Sequence, residues 1–191
     1  MLRYKIHIKI SVIAALLFCA AIIFSGCTKS KTQLVSEIDR TKWPSVKAIN
    51  IESIVSDSGY VKYIITAPLY EVFDKVDEPY WEFSKGLKLK RYNHDQVVDS
   101  EIECNYARYL EKEKLWRLEN KVFARNIDDE TFETELMYWD QEKEKLYTDQ
   151  MLRITNHKTG QVVICTGFES NQNFTQYSFE KVTATFLIDI E

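Results

Sequence analysis

The chain has 191 residues and a formal net charge of −4, and it is poor in glycine and proline (5 and 3) but rich in tyrosine and phenylalanine (11 and 10). This length fits one folded domain after a short leader and argues against two. The composition favours long strands over a loop-rich or disordered chain, so we predict an all-β protein. An acidic domain is a poor nucleic-acid binder, which excludes nucleic acid as an expected partner.

The N-terminal segment has the pattern of an export signal. Basic residues at the start are followed by an apolar run from Ile10 to Phe24, broken by one serine, and then by Ser25-Gly26-Cys27. This pattern predicts a signal peptide over residues 1–26 that ends in a lipobox, with Cys27 as the acylated first residue of the mature protein. An uncleaved membrane anchor is the alternative, although the run is shorter than the roughly 20 residues of a spanning helix. Either way the domain is tethered outside the cytoplasm.

The mature chain divides into a linker and a folded domain. Residues 27–46 are polar and lysine-rich, which predicts a lipidated N-terminus and a linker. Removal of the three leader cations changes the net charge from −4 to −7. We expect the folded domain over residues 47–191, beginning with strands at Ala48–Val55 and Tyr60–Ala67 around the turn Asp57-Ser58-Gly59. Charged turns then recur at hairpin spacing.

Three strand-like segments, each built around an aromatic residue, recur with a period of roughly 30 residues, as in stacked architectures. The overlay of the first two segments matches three pairs of positions: Trp81 with Trp116, Phe83 with Leu118, and Leu87 with Val122. The overlay of the second and third matches Tyr109 with Tyr138 and gives the third a turn that is two residues longer. The stretch Asn105–Asn120 also suits helical spacing, but this overlay favours strands.

Stacked hairpins of this kind predict an open interior. Each hairpin buries its apolar face only against its neighbours, so the two ends stay unpaired and the interior remains a trough that can hold a lipid chain. Each apolar residue of the recurring segments, considered alone, is most simply explained as an ordinary core residue. The predicted lipid-binding trough comprises Trp81, Phe83, Leu87, Leu89, Trp116, Leu118, Val122 and Ala124. Because the domain is acidic, we expect an anionic lipid to be held by its chains, with the head group outside.

The last stretch of the chain predicts an unprotected strand. Five apolar residues alternate there and are expected on one face: Val182, Ala184, Phe186, Ile188 and Ile190. No proline or inward charge blunts this strand. Either another strand of the same domain covers it, or a partner adds a strand to it by β-augmentation.

The sequence offers little for catalysis. His94 and His157 lie in polar turns without a convergent partner, and no phosphate loop, zinc spacing or nucleophile elbow occurs. We therefore predict no enzyme, no metal and no cofactor. Cys104 and Cys165 would share an oxidising compartment that allows a disulfide, but their separation of 61 residues is about two repeat periods and favours buried free thiols.

Motifs along the chain carry a family resemblance. They are the segments Ile164–Tyr177 and Lys181–Phe186, the set Gly59, Tyr63, Ala67 and Tyr70, and the segments Thr134–Asp140 and Tyr147–Asp149. Together they resemble the closing motif, the opening glycine strand and the repeated core of the LptC family, the bridging component of bacterial lipopolysaccharide export. The resemblance covers about residues 45–188. Better-known members carry a transmembrane helix where this chain has its lipobox.

The resemblance implies a twisted, open-ended antiparallel β-jelly roll whose interior accepts the acyl chains of lipopolysaccharide. Such proteins lie on the periplasmic face of the inner membrane, take the lipid from an ABC transporter and pass it to an LptA-like bridge protein. It also implies that Gly59 lies at the edge that docks the transporter and that Phe186 lies near the contact with the bridge protein. The predicted edge for the bridge protein is Phe186 with the alternating residues Val182, Ala184 and Ile188 of the last strand. The alternative is a periplasmic or surface lipoprotein that acts as a carbohydrate-binding or adhesion module, in which case Trp81 and Trp116 should be solvent-exposed.

Overall fold

The computed structural model describes residues 39–188. They form 14 antiparallel strands after one 3-10 turn at Arg40–Lys42, which confirms the predicted all-β, jelly-roll-like fold. The strands are β1 (Val46–Asp57), β2 (Tyr60–Phe73), β3 (Tyr80–Phe83), β4 (Leu87–Tyr92), β5 (Val98–Cys104), β6 (Tyr106–Leu110), β7 (Leu115–Asn126), β8 (Glu130–Asp140), β9 (Lys145–Thr148), β10 (Leu152–Asn156), β11 (Gln161–Thr166), β12 (Phe168–Asn171), β13 (Tyr177–Ser178) and β14 (Lys181–Leu187). Within this range, no helix is long and apolar enough to span a membrane.

The strands form two facing layers. Four long strands, β1, β2, β7 and β8, take part in both layers. β2, β7 and β8 each pair with different short strands at their two ends, whereas β1 pairs with β2 along its length. The first layer has the order β1-β2-β4-β5-β7-β8-β10-β11-β14, and the second has the order β1-β2-β3-β6-β7-β8-β9-β12-β13. Apolar side chains from both layers meet between them and form the core.

The chain crosses between the layers along one side of the fold, and left-handed residues mark the crossings. Positive φ angles occur at Asn50 in β1, Gly86 between β3 and β4, Asn120 and Lys121 in β7, and Gly167 between β11 and β12. Asparagine and glycine tolerate this conformation better than other residues. A Cβ at Gly86 would overlap the carbonyl oxygen of Cys104, so glycine is required at that crossing.

Hairpin turns of both layers lie on the opposite side, called the mouth below. The β1–β2 turn consists of Ser58 and Gly59, both with positive φ, as a tight two-residue hairpin turn requires. The turns at residues 111–114 and 141–144 each contain four residues. The predicted two-residue difference between them is therefore wrong, and the structure matches Tyr109 with Trp139, since each is the second-last residue of its strand.

Both ends of the first layer are unpaired within the described range. β1 pairs with β2 alone, and β14 pairs with β11 alone. The predicted single face of β14 is wrong, because the register shifts between Ile164 and Cys165: Val182 pairs with Cys165, whereas Ala184 pairs with the adjacent Ile164. Adjacent residues of β11 point to opposite faces, so Val182 and Ala184 do too. Ile190 lies outside the described residues.

Cys104 and Cys165 are free and buried, as favoured from the sequence. Cys104 belongs to β5 and Cys165 to β11, and four strand-to-strand steps separate β5 from β11 in the first layer. At about 4.8 Å a step, the two cysteines lie roughly 19 Å apart, far beyond disulfide reach. Burial raises the pKa of the Cys104 thiol to about 11, and it also raises the pKa of Cys165.

Candidate functional site

An aromatic row crosses the interior face of the second layer. The sheet register places Trp81 opposite Tyr109, Tyr109 opposite Trp116, and Trp116 opposite Trp139, so the four side chains share one face. Their ring centroids are 4.9, 4.9 and 6.1 Å apart in that order. Each such contact contributes about 0.5–1.5 kcal/mol beyond simple area burial. The row therefore ties four strands together along the length of the interior.

Two tyrosines of β2 contact the row, one at each of its ends. The ring of Tyr70 meets that of Trp81 edge-on at 5.7 Å, and the ring of Tyr63 meets that of Trp139 at 5.3 Å and 60°. Burial is the main cause that raises the pKa of both tyrosines, opposed at Tyr63 by the positive charge of Arg91. Both phenols therefore stay protonated at neutral pH and keep a hydroxyl donor.

The predicted trough residues all belong to this interior. Trp81 is half-buried, and its indole nitrogen donates a hydrogen bond to Glu111. The other seven, Phe83, Leu87, Leu89, Trp116, Leu118, Val122 and Ala124, are each at most 4% exposed. In this conformation the trough is filled by its own side chains, so the expected open channel is absent from the described residues and lipid binding stays a prediction. Burial of Trp116 also removes the exposed indole on which the carbohydrate-binding alternative depends.

A second aromatic cluster fills the interior towards β11 and β14. Phe132 of β8 packs against Phe168, Phe174 and Tyr177, with centroids 5.6, 4.9 and 5.4 Å away. The hydroxyl of Tyr177 donates a hydrogen bond to Glu130 Oε1 at 3.3 Å. Burial, together with the charge of Glu130, raises the pKa of Tyr177 to about 12. The interior is thus aromatic from one end of the fold to the other.

Residues 172–176, the closing loop, join the second layer to the first at the mouth. Tyr63 donates its hydroxyl to Gln172 Oε1 at 2.8 Å, and Ser100 Oγ donates to the Gln172 carbonyl at 3.3 Å. Asn126 Nδ2 donates to the carbonyl of Phe174 at 2.9 Å, and the Phe174 side chain is completely buried. Phe174 has a φ of 56°, an uncommon left-handed conformation for a bulky residue. The closing loop therefore covers the mouth over β12.

Beside the closing loop, the mouth holds a polar cleft of about 650 Å³. This mouth cleft is lined by residues that include Tyr60, Lys62, Tyr63, Arg91, His94 and Gln172. Lys62 pairs with Asp57 at 2.8 Å, and Arg91 pairs with the buried Asp99. Both cations of the cleft are thus already neutralised by acids of the same chain.

The predicted docking residues lie at opposite ends of the first layer. Gly59 occupies the tip of the β1–β2 turn, and a Cβ there would meet no atom within 4 Å. In β14, Val182 is 47% and Phe186 42% exposed, Ala184 is partly buried, and Ile188 follows the strand. Cys27 lies outside the described residues. Docking and lipidation therefore remain predictions.

Sequence reasoning missed several interior residues. Tyr109 and Trp139 belong to the aromatic row, and Gln172 and Phe174 close the mouth. A repeat overlay shifted by one residue would have found Trp139. No pattern in the sequence marks the closing loop, since its contacts join residues as far apart as Tyr63 and Gln172.

The fold and the interior together define a class of protein: an antiparallel β-jelly roll with an aromatic interior and, among residues 39–188, an end strand on each side that pairs along one edge. The chain belongs to the LptC-related family of lipopolysaccharide-assembly proteins, whose family model matches residues 12–176. No curated protein matches the chain in sequence. Family membership implies a part in lipopolysaccharide transport, a non-enzymatic role, and a periplasmic or inner-membrane location in Gram-negative bacteria.

Proposed function

We propose that this protein accepts lipopolysaccharide from an inner-membrane ABC transporter, holds its acyl chains between the two layers, and passes it to an LptA-like bridge protein. The observation that carries the proposal is the continuous apolar interior, which runs between two strands, β1 and β14, that each pair on one side within the described range. A buried methylene contributes about 0.8 kcal/mol, so several partly buried acyl chains offset extraction from a bilayer.

In the proposed cycle, the lipid replaces side-chain contacts inside the fold. The trough residues are packed against one another in the structure, so the layers must separate for acyl chains to enter. The layers can separate at the mouth without disrupting the backbone, because the chain connects the two layers on the opposite side. Separation there requires release of the closing loop from Tyr63, Ser100 and Asn126.

Photocrosslinking tests the trough. Lipopolysaccharide with a photoreactive group in an acyl chain should crosslink to interior residues such as Trp116 and Leu118 in the full-length protein. Exposed residues on the side opposite the mouth, such as Met151 between β9 and β10, serve as the matched control and should stay unlabelled. Labelling confined to the outer surface would contradict a lipid-holding interior.

We also propose that the transporter docks at the edge that contains Gly59, and that the bridge protein adds a strand to β14. Phe186→Asp should abolish binding of the bridge protein and leave the thermal transition of the domain unchanged, because the Phe186 side chain is 42% exposed. Ile127→Asp, which removes a similarly exposed apolar side chain from a turn, should leave binding intact. Retained binding by Phe186→Asp would refute edge docking through this residue.

The mode of anchoring is part of the proposal. Residues 1–26 act as a signal peptide with a lipobox, Cys27 carries the acyl groups, and residues 27–46 form the tether to the domain at 47–191. Mass spectrometry of the membrane-extracted protein should find an acylated Cys27 at the N-terminus. A mature chain that still begins at Met1 would show an uncleaved anchor in its place.

A further inference from the structure

Two indole groups at the centre of the aromatic row are buried without a hydrogen-bond partner. Trp116 is 2% and Trp139 is 3% exposed, and neither Nε1 has an acceptor among residues 39–188. Trp81, in the same row, donates its Nε1 hydrogen to Glu111. Buried donors are nearly always satisfied in folded proteins, and an unmade bond is unfavourable. Two neighbouring exceptions inside a proposed binding site indicate a missing acceptor.

The depth of the two indoles indicates which part of a lipid would supply that acceptor. Trp139 touches the ring of Tyr63, and the Tyr63 hydroxyl reaches Gln172 in the closing loop. Tyr63 also lines the mouth cleft. Inward from solvent, the order is therefore the polar cleft, Tyr63 and then the indoles, with apolar residues such as Leu118 and Met137 in the adjacent row of the same face.

A lipid that leaves its head group in the mouth cleft and inserts its chains brings its linking atoms to the level of the indoles. We infer that Trp116 and Trp139 donate hydrogen bonds to the carbonyl oxygens of the ester or amide groups that join acyl chains to the head group. The interior therefore selects lipids with ester- or amide-linked acyl chains over plain alkyl chains. This inference rests on the proposed function, because it requires the interior to admit a lipid.

Two soluble probes with the same number of chain carbons separate the contribution of the linking group to binding from the contribution of chain burial. N-decanoyl-N-methylglucamine carries an amide carbonyl between sugar and chain, and n-decyl glucoside carries a glycosidic ether oxygen there. The full-length protein is held in phospholipid nanodiscs, and bound probe is measured by dialysis below the concentration at which micelles form. We expect the amide probe to bind about tenfold more tightly.

Tryptophan variants test whether Trp116 and Trp139 cause the preference for the amide probe. Trp116→Phe and Trp139→Phe keep an aromatic ring but remove the N–H donor, so each should reduce the preference for the amide probe. Trp43→Phe is the matched control, because it removes an indole donor that lies outside the trough and is 68% exposed, and it should leave the preference unchanged. Preference retained in both Trp116→Phe and Trp139→Phe would overturn the inference.

A second measurement does not depend on variants that fold. In the unaltered protein labelled with ¹⁵N at its indoles, the Trp116 and Trp139 N–H protons should shift downfield with the amide probe and not with the ether probe. Equal affinity for the two probes with unshifted indole signals would overturn the inference and leave the lipid trough standing. Absence of binding by either probe would contradict the trough itself, and the inference with it.

Discussion

Tyr63 and Gln172, which are 109 residues apart in sequence, join the two layers at the mouth through a hydrogen bond of 2.8 Å from the phenol to the amide oxygen. The same Tyr63 ring packs against Trp139 at the end of the aromatic row. One side chain therefore contacts both the interior and the loop that covers it. Tyr63 therefore connects Trp139 to the closing loop.

Removal of this hydrogen bond should loosen the closing loop. Tyr63→Phe keeps the ring on Trp139 and deletes only the hydroxyl, so we expect a loss of about 1 kcal/mol in the free energy of unfolding. Backbone amides of residues 172–176 should exchange with deuterium faster than in the unaltered protein. Tyr147→Phe is the control, since its ring stacks on Tyr138 and its hydroxyl bonds to no described residue. Equal exchange in the two variants would refute the role of Tyr63 in closure.

Gly86 and Gly59 should respond differently to the same substitution. Both have positive φ, +78° and +86°, but an added Cβ overlaps the Cys104 carbonyl at Gly86 and meets nothing within 4 Å at Gly59. Gly59→Ala should cost about 1–2 kcal/mol from backbone strain alone, and Gly86→Ala more than about 3 kcal/mol. Urea unfolding of the two variants measures the difference. Similar losses would mean that the crossing at Gly86 can move.

The small loss expected for Gly59→Ala has a practical use. A larger substitution at Gly59 that weakens transporter docking while unfolding stays near that of Gly59→Ala would act through the contact and not through the fold.

Asp140 should make stability depend on pH in the acid range. Its carboxylate accepts hydrogen bonds from the side chain and the backbone N–H of Lys143, and the side-chain bond is the main cause that lowers its pKa below the ordinary value of 3.8. Because the pKa of Asp140 is lower in the folded chain than in the unfolded chain, the charged carboxylate stabilises the fold at pH values above the unfolded-state pKa. This contribution is lost as the pH falls through the folded-state pKa. Asp140→Asn should therefore be less stable than the unaltered protein at pH 7, with a difference that shrinks below about pH 4.

Thermal unfolding at several pH values measures that difference. Asp95→Asn serves as the control, because it removes an exposed carboxylate that has no bonded partner in the described part of the chain. A difference for Asp140→Asn that stays constant from pH 7 down to pH 2 would contradict the assignment to this carboxylate.

The two buried thiols should react only after unfolding. With a pKa of about 11, Cys104 is about one part in a thousand thiolate at pH 8, and burial blocks access as well. Alkylation followed by peptide mapping should modify Cys104 and Cys165 slowly in the folded protein and quickly in urea. Rapid modification of the folded protein, or recovery of a bridged peptide, would contradict the structure.

The sequence predicted which residues of β3 and β7 share a face but not where strands bend. The overlay of Trp81 on Trp116 and Phe83 on Leu118 is confirmed, because a strand period of two survives in any sheet. The predicted match of Tyr109 with Tyr138 was wrong by one residue. From sequence alone, turn residues such as Lys114 and Glu144 can be assigned either to the turn or to the neighbouring strand. A one-residue error exchanges the two faces, and for this reason Trp139 was missed.

The crossings and the mouth were beyond sequence reasoning for physical reasons. Asn50 and Asn120 are compatible with left-handed backbone, but asparagine occurs in many other settings, so only the folded chain identifies them as crossings. The closing loop is fixed by tertiary contacts to Ser100 and Asn126, which leave no local pattern. For the same reason the sequence could not reveal that the trough residues pack against one another.

The two ends of the fold differ in the backbone they offer. β1 presents one continuous edge of 12 residues that belongs to both layers, whereas the other end divides into the seven-residue β14 and the two-residue β13. The ends are thus not copies of each other, and contact between unlike ends is heterologous. A chain of such domains would have a fixed direction and would not close as a two-fold dimer. Lipid that travels along it would meet the same sequence of edges at every step.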